Sequence, residues 1–205
     1  MDQTLLFAVI LFAFVMSVTP GPNNMMLLAS GAQFGYLRTL PHIFGIIIGI
    51  ACLLGSVLIG LGVVFELYPV LYDLLKAAGS IYLLWLAWKI STAPTDENAL
   101  NPKQKSAHAG PMNLLSASLF QFVNPKAWAM AIGSISSFAV AGEHYLESGL
   151  WIMGSFAVTG FIAISLWTCL GVAIRSLLTT ESRKRYFNRI MGAMTAATIL
   201  LILSS

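Results

Sequence analysis

The residues of this 205-residue chain that could do chemistry lie at two helix-breaking motifs inside long apolar stretches. The first is Thr19-Pro20-Gly21-Pro22-Asn23-Asn24, and the second is Gln121-Phe122-Val123-Asn124-Pro125-Lys126. Proline removes a backbone N–H and ends or bends a helix, which frees polar backbone groups that lipid cannot satisfy. Such breaks occur where they are buried in protein or line a watery cavity. A matched pair in two halves of one chain therefore predicts a shared polar site.

The second break combines a helix start with a positive charge. Asn124 followed by Pro125 is typical of the N-cap and first residue of a half-helix, whose free N–H groups and dipole favour an anion. Lys126 lies near the middle of the apolar run 112–140, where a charge costs about 3 kcal/mol or more and so marks a functional candidate. We expect Lys126 and the adjacent N–H groups to hold a carboxylate. The alternative is that Lys126 pairs with Asp73 or snorkels along a kinked helix.

The first break is expected to supply hydrogen-bond acceptors. The motif Pro20-Gly21-Pro22 lacks two N–H donors and leaves the carbonyls of the preceding turn exposed. Those carbonyls, with the amides of Asn23 and Asn24, could bind an ammonium group. Gln121, one turn before the second break, could line the same cavity or bond one helix to another. The two breaks together suit a zwitterion, and a kink that only improves packing is the alternative.

Two further titratable residues are candidates for carrying a coupled proton. Asp73 lies near the start of the third apolar run, where it could equally pair with Lys76 on the same helix face. His42 lies near the start of the second run, and an imidazole titrates near neutral pH. A histidine in the wet membrane interface is the simpler interpretation of His42.

Composition places these residues in a membrane protein. Charged residues make up 9% of the chain and hydrophobic ones 58%, with a mean hydropathy of +0.82, whereas soluble domains have about 25% charged residues. The apolar runs are 4–30, 39–65, 68–90, 112–140, 148–174 and 187–204, and all but the last are long enough to cross a bilayer. We therefore predict an all-α membrane protein of six transmembrane helices, the first and fourth broken.

The same composition argues against cofactors, metals and nucleic acid. Cys52 and Cys169 lie in separate runs, without a CxxC motif or metal-ligand spacing. The net charge is only +3, and the basic residues gather at helix ends instead of forming one stripe. We expect the partners to be a small substrate, protons and the lipid bilayer.

Charges between the apolar runs predict the orientation. Basic residues flank alternate loops: Arg38, Lys89, Lys103, Lys105, Arg175, Arg183, Lys184, Arg185 and Arg189. The other two loops carry Glu66, Glu143 and Glu147. The positive-inside rule puts the basic side in the cytoplasm and both termini outside. The single transporter domain 1–205 then divides into a three-helix half 1–90, a cytoplasmic linker 91–111 and an oppositely oriented half 112–205, which is an inverted repeat.

The motifs resemble the LysE/RhtB family of amino-acid exporters, in its threonine/homoserine and neutral amino-acid branch. The likeness rests on Thr19-Pro20-Gly21-Pro22-Asn23, on the third-helix stretch 75–86 and on Asn124-Pro125-Lys126. It implies export from the bacterial cytoplasm driven by the proton-motive force, a place in the inner membrane, and the option of a homodimer. Members that handle basic amino acids are expected to place a carboxylate in the second helix. The run 39–65 has none, which favours a neutral or zwitterionic substrate.

The resulting hypothesis is a secondary exporter of small neutral amino acids such as threonine, homoserine, cysteine or leucine, and not an enzyme. Two alternatives stay open. One is a transmembrane thiol–disulfide oxidoreductase, although neither cysteine adjoins a break. The other is a passive channel, since a broken helix can also line a pore.

Overall fold

The computed structural model describes residues 2–93, 95 and 110–203, and every regular element in those ranges is helical. The elements are α1 (Gln3–Val18), α2 (Pro22–Phe34), α3 (Tyr36–Ser56), a π-helical turn (Val57–Leu61), α4 (Gly62–Leu67), α5 (Pro69–Ser91), α6 (Leu114–Val123), α7 (Pro125–Phe138), a 3₁₀ turn (Gly142–His144), α8 (Tyr145–Arg175) and α9 (Glu181–Leu203). The all-α prediction is confirmed for these residues. Most of the predicted linker 91–111, with Lys103 and Lys105, lies outside them.

Three helical stretches of the described chain are long and apolar enough to cross a membrane: Tyr36–Leu67, Pro69–Ser91 and Gly142–Arg175. The pair Gln3–Val18 and Pro22–Phe34, bent by 60°, makes a fourth if it counts as one span. The helices α6 and α7 are short because the second break divides them, and α9 begins in the charged sequence 181–185. The six-span arrangement is thus supported only in part, and the two-repeat organisation stays a prediction.

Both predicted breaks are present. At the first, α1 ends at Val18 and α2 begins at Pro22, with Gly21 extended between them. At the second, α6 ends at Val123 and α7 begins at Pro125. Asn124 is extended and is the N-cap of α7, with Pro125 as the first helical residue, as the Asn-Pro pair predicts.

Small residues allow the helices around the breaks to pack closely. A Cβ added at Gly45 or Gly49 of α3 would collide with α6. One added at Gly31 of α2 would collide with the backbone of α8, and one added at Gly171 of α8 would collide with the backbone of α2. Gly45 faces the start of α6 and Gly49 faces its end, so α3 and α6 run parallel. In an apolar medium, close backbone approach of this kind is a main source of helix association. These contacts hold both breaks beside α3 and α8.

The basic helix ends of the described chain lie together at one end of the bundle. The start of α3 lies beside the end of α8, since Gly35 is next to the Arg175 guanidinium. The start of α9 is tied to the ends of α2 and α5 by Asn188, which accepts from Gln33 Nε2 and donates to the carbonyl of Ala93. These helix ends are the ones that carry the basic residues. The predicted charge segregation therefore corresponds to one end of the folded chain, while the side of the membrane that it faces stays a prediction.

Candidate functional site

A cavity with an empty volume of about 510 Å³, which includes space open to solvent, lies where the two breaks meet. Its lining at the two breaks and the end of α1 comprises Ser17, Gly21, Pro22, Asn23, Asn24, Asn124 and Lys126. Its apolar lining comes from α1, α3, α7 and α8: Met16, Ile46, Ile47, Ile50, Ala127, Met130, Phe156, Gly160 and Ile164. Motifs about 100 residues apart in sequence thus share one cavity.

Lys126 crosses from the second break to the first. Its ammonium group donates to the carbonyl of Thr19 at 2.7 Å, to the hydroxyl of Thr19 at 2.9 Å and to the carbonyl of Pro20 at 3.4 Å. Gly21 makes room for this arrangement, because a Cβ there would stand 2.9 Å from Lys126 Cδ and 3.0 Å from Nζ. All three acceptors are neutral, and no carboxylate occurs among the described residues that line the cavity. The charge of Lys126 is therefore left without a counter-ion from the protein there.

The carbonyls freed at the end of α1 already have donors. Asn24 Nδ2 donates to the carbonyls of Ser17 and Thr19, at 3.0 and 2.8 Å. Trp167 on α8 donates its indole N–H to the carbonyl of Val18 at 3.0 Å. The expectation that this break offers open carbonyls to an ammonium group is therefore not met. The cause is tertiary, since the lysine of the other break and a tryptophan of α8 supply the missing N–H groups.

The free donors lie at two helix N-termini. Neither α2 nor α7 has a side-chain cap at its start, and each begins with proline. The following N–H groups, those of Asn23 and Lys126, belong to the first helical turn, which has no acceptor within its own helix. Residues of both first turns line the cavity. Two helix dipoles and one ammonium group thus make this end of the cavity positive, which suits a carboxylate.

One buried acceptor, on a residue that lines the cavity, has no hydrogen-bond partner in the described chain. Asn124 is 2% exposed, and its Oδ1 has no hydrogen-bond partner in the described chain. Its Nδ2 points to Gln121 Oε1 at 3.5 Å. Gln121 in turn forms a reciprocal amide pair with Asn23, at 2.9 and 3.2 Å. A buried oxygen without a partner costs free energy, which an ammonium group of a bound substrate would recover.

Gln121 itself is fully buried and does not line the cavity. It orients Asn23 and Asn124 from behind, so its predicted role as a direct substrate contact is replaced by a positioning one. Gly79 of α5 also supports the site without lining it, because a Cβ there would collide with the carbonyl of Val123 and the ring of Pro125. Sequence reasoning missed Gly79 and Trp167. The available signal for Trp167 was that an indole N–H in an apolar run needs an acceptor.

The two candidate proton carriers occupy different environments. Asp73 is exposed on α5 and, within the described chain, forms no ion pair with Lys76 or Lys126. Lys76 instead lies over the ring of Tyr72, at 5.0 Å. The interpretation that Lys126 pairs with Asp73 is therefore wrong. The described residues also contain no group of three or more His, Cys, Asp or Glu side chains that could hold a metal ion.

His42 differs from its expected setting. It is 2% exposed, and both ring nitrogens lack a hydrogen-bond partner among the described residues. The interpretation of His42 as a histidine in the wet membrane interface is thus wrong. Although His42 lies near the start of an apolar run, the packing of α3 against its neighbours buries it. His42 lies one helical turn before Ile46, which lines the cavity.

Membrane-length helices around a polar cavity at two interrupted helices define a membrane transporter. The chain belongs to the LysE type translocator family, whose model matches residues 14–203. The cysteine/O-acetylserine efflux proteins of Escherichia coli (strain K12) and Shigella sonnei (strain Ss046) are each 29% identical to it over 190 residues, which is 90% of this chain and 91% of theirs. No solved structure matches the chain. The resemblance seen in the motifs is confirmed, and the protein is a transporter and not an enzyme.

Proposed function

We propose that the protein exports small neutral amino acids or their derivatives from the cytoplasm by alternating access around the cavity between the breaks. The observation that carries the proposal is the composition of that cavity, which has a positive end, one unpartnered acceptor and no carboxylate among its described lining residues. The efflux activity in the names of the relatives supports the same conclusion. An exporter of amino acids needs a site for a zwitterion, and these groups supply both halves of one.

The substrate carboxylate binds beside Lys126 and the first-turn N–H groups of α2 and α7. Its charge becomes the counter-ion that Lys126 lacks, and hydrogen bonds to charged groups contribute about 1.5–3 kcal/mol each. The substrate ammonium group donates to Asn124 Oδ1, which has no other donor in the described chain. The amide pair between Asn23 and Gln121 holds the start of α2 against the end of α6.

We assign the coupled proton to His42 in preference to Asp73. His42 is buried and unpartnered one turn from the cavity lining, whereas Asp73 is exposed on another helix. Four helices pack against α3. Two of them, α2 and α6, contain no titratable residue, and α7 contains only Lys126. The titratable groups of α8 are Tyr145 and Glu147 at its start, and Cys169 and Arg175 towards its end. A proton on His42 therefore adds a charge to α3 with no carboxylate on α2, α6 or α7 to neutralise it, which favours a change of conformation on protonation.

The location follows from the same proposal. The family and the membrane-length helices support a bacterial membrane protein. We place it in the inner membrane, with the basic end of the bundle in the cytoplasm and both termini outside. A homodimer is compatible with this arrangement.

Inside-out membrane vesicles test the proposal, because export then appears as uptake of labelled amino acid. Vesicles that contain the protein and acidify their lumen by respiration should accumulate leucine, threonine, homoserine or cysteine above empty-vector vesicles. A protonophore should abolish that accumulation. Equal uptake in both sets of vesicles for all four amino acids would contradict the proposal. A downhill flux that the protonophore does not affect would identify a passive channel instead.

A further inference from the structure

Outside the two breaks and the end of α1, the lining of the cavity is apolar, and this part of the lining is called the wall. Ile46 and Ile50 of α3, Met130 of α7, and Phe156 and Ile164 of α8 contribute to it. An amino acid whose charged groups bind at the breaks must direct its side chain towards this wall. The wall therefore determines which side chains are accepted.

The wall has little to offer a polar side chain. Ser17 supplies the one hydroxyl among the described lining residues, and its own carbonyl accepts from Asn24 at the first break. Its hydroxyl, however, lies beside Gly160, where an added Cβ would stand 3.7 Å from Ser17 Oγ, so Ser17 joins the polar end of the cavity to the wall. A substrate hydroxyl placed against the isoleucines would lose its water without gaining a partner, which is unfavourable. A methylene group or thioether placed there gains dispersion contacts and leaves water.

Gly160 shapes the space beside this wall. It lies one turn from both Phe156 and Ile164 on the face of α8 that lines the cavity. A Cβ added at Gly160 would meet only Ser17 Oγ, at an ordinary contact distance of 3.7 Å. Because residue 160 is glycine, the space that a side chain would fill there is available to a ligand.

We propose that the cavity selects zwitterionic amino acids with uncharged aliphatic or thioether side chains of about leucine or methionine size, and that Gly160 sets the upper limit of that size. This inference rests on the proposed function and narrows its substrate class. Leucine-like side chains pack against the apolar wall, whereas a threonine or homoserine hydroxyl directed at its isoleucines loses water without gaining a partner. Lysine is excluded by the positive end of the cavity and by the absence of a carboxylate among the described lining residues.

Substrate exchange in proteoliposomes of the purified protein provides the test. The proteoliposomes take up labelled leucine by exchange. Unlabelled methionine, leucine, threonine, homoserine and lysine then compete with it for the transporter. Leucine and methionine should compete at least about tenfold better than threonine or homoserine, which is the discrimination that one or two apolar contacts provide. Equal or better competition by threonine or homoserine would overturn the inference while leaving the exporter function intact. Absence of exchange by every amino acid would instead contradict the proposed function.

A matched pair of variants on α8 tests the role of Gly160. Gly160→Ala should lower exchange of leucine and methionine by about tenfold and leave alanine exchange unchanged. Gly154→Ala, where nothing lies within 4 Å of the added Cβ, should behave as the unmodified protein. An equal fall for alanine and leucine, or no change for either, would overturn the assignment.

A second variant keeps the inference testable if Gly160→Ala does not fold. Ile50→Thr places a hydroxyl on the wall, and Ile50 is only partly buried. The ratio of threonine to leucine exchange should rise by about tenfold. An unchanged ratio in a variant that still exchanges leucine would contradict the proposed selection.

Discussion

Gly21→Ala should impair export without removing any charge or polar group. The added Cβ would stand 2.9 Å from Lys126 Cδ and 3.0 Å from Nζ, so the lysine side chain must move by about 0.5 Å to reach an ordinary contact of 3.4 Å. The backbone at Gly21 is extended, with φ −169°, which alanine adopts without strain. The perturbation is therefore confined to the position of Lys126.

The size of the effect follows from the bonds that the movement breaks. Lys126 Nζ donates to the Thr19 carbonyl at 2.7 Å and to its hydroxyl at 2.9 Å. A hydrogen bond from a charged donor contributes about 1.5–3 kcal/mol. Because the side chain is flexible, we expect the loss of about one such bond, which corresponds to a fall in transport rate of roughly 10- to 100-fold.

The assay is uptake of labelled leucine by inside-out vesicles, normalised to the amount of protein in the membrane. Gly133→Ala is the matched control, because it lies on α7 with Lys126 and its added Cβ meets only Phe12 Cζ, at 4.0 Å. The control should transport as the unmodified protein does. If Gly21→Ala transports normally while Lys126→Met does not, the lysine is needed but its position on the Thr19 carbonyl is not, and the reasoning is refuted.

Three other changes test separate parts of the account. His42→Gln should keep proteoliposome exchange but lose most of the uptake driven by a pH gradient, because exchange needs no net proton movement; unchanged gradient-driven uptake would exclude His42 as the carrier. The double change Cys52→Ser and Cys169→Ser should leave export unaltered, since both thiols are free and neither lines the cavity; loss of export would revive a thiol mechanism. Gly79→Val should destabilise the protein by about 1–3 kcal/mol through overpacking against the second break, seen as a lower apparent Tm in detergent, whereas Gly154→Val, at an open position, should not.

The breaks themselves could be predicted because their cause is local. Proline lacks an N–H and asparagine favours an N-cap wherever they occur in a chain. The start of α7 at Pro125 follows from the proline, since the Asn124 side chain forms no cap hydrogen bond there. The charge segregation between the two ends of the bundle is likewise readable from composition, since charged residues avoid the bilayer core.

The partners of the freed backbone groups could not be predicted, because they come from distant parts of the chain. The donor to the Val18 carbonyl is 149 residues away on α8, and the donor to the Thr19 carbonyl is 107 residues away on α7. The burial of His42 has the same origin, since periodicity near a helix end does not reveal which neighbours cover it. Six of the nine predicted substrate-binding residues line the cavity, whereas Pro20, Gln121 and Pro125 do not. The division of roles also differs, because the break that is predicted to bind a substrate ammonium group holds the ammonium group of Lys126.

The central claim is that Lys126 and the two helix N-termini bind the carboxylate of an amino acid. The most direct test is equilibrium binding of the best-exported amino acid and of its carboxamide, which lacks the carboxylate, to the purified protein and to Lys126→Met. The unmodified protein should bind the amino acid at least about tenfold more tightly than the amide, a difference of about 1.4 kcal/mol, and Lys126→Met should lose this preference. A Lys126→Met protein that folds and keeps the full preference would contradict the account.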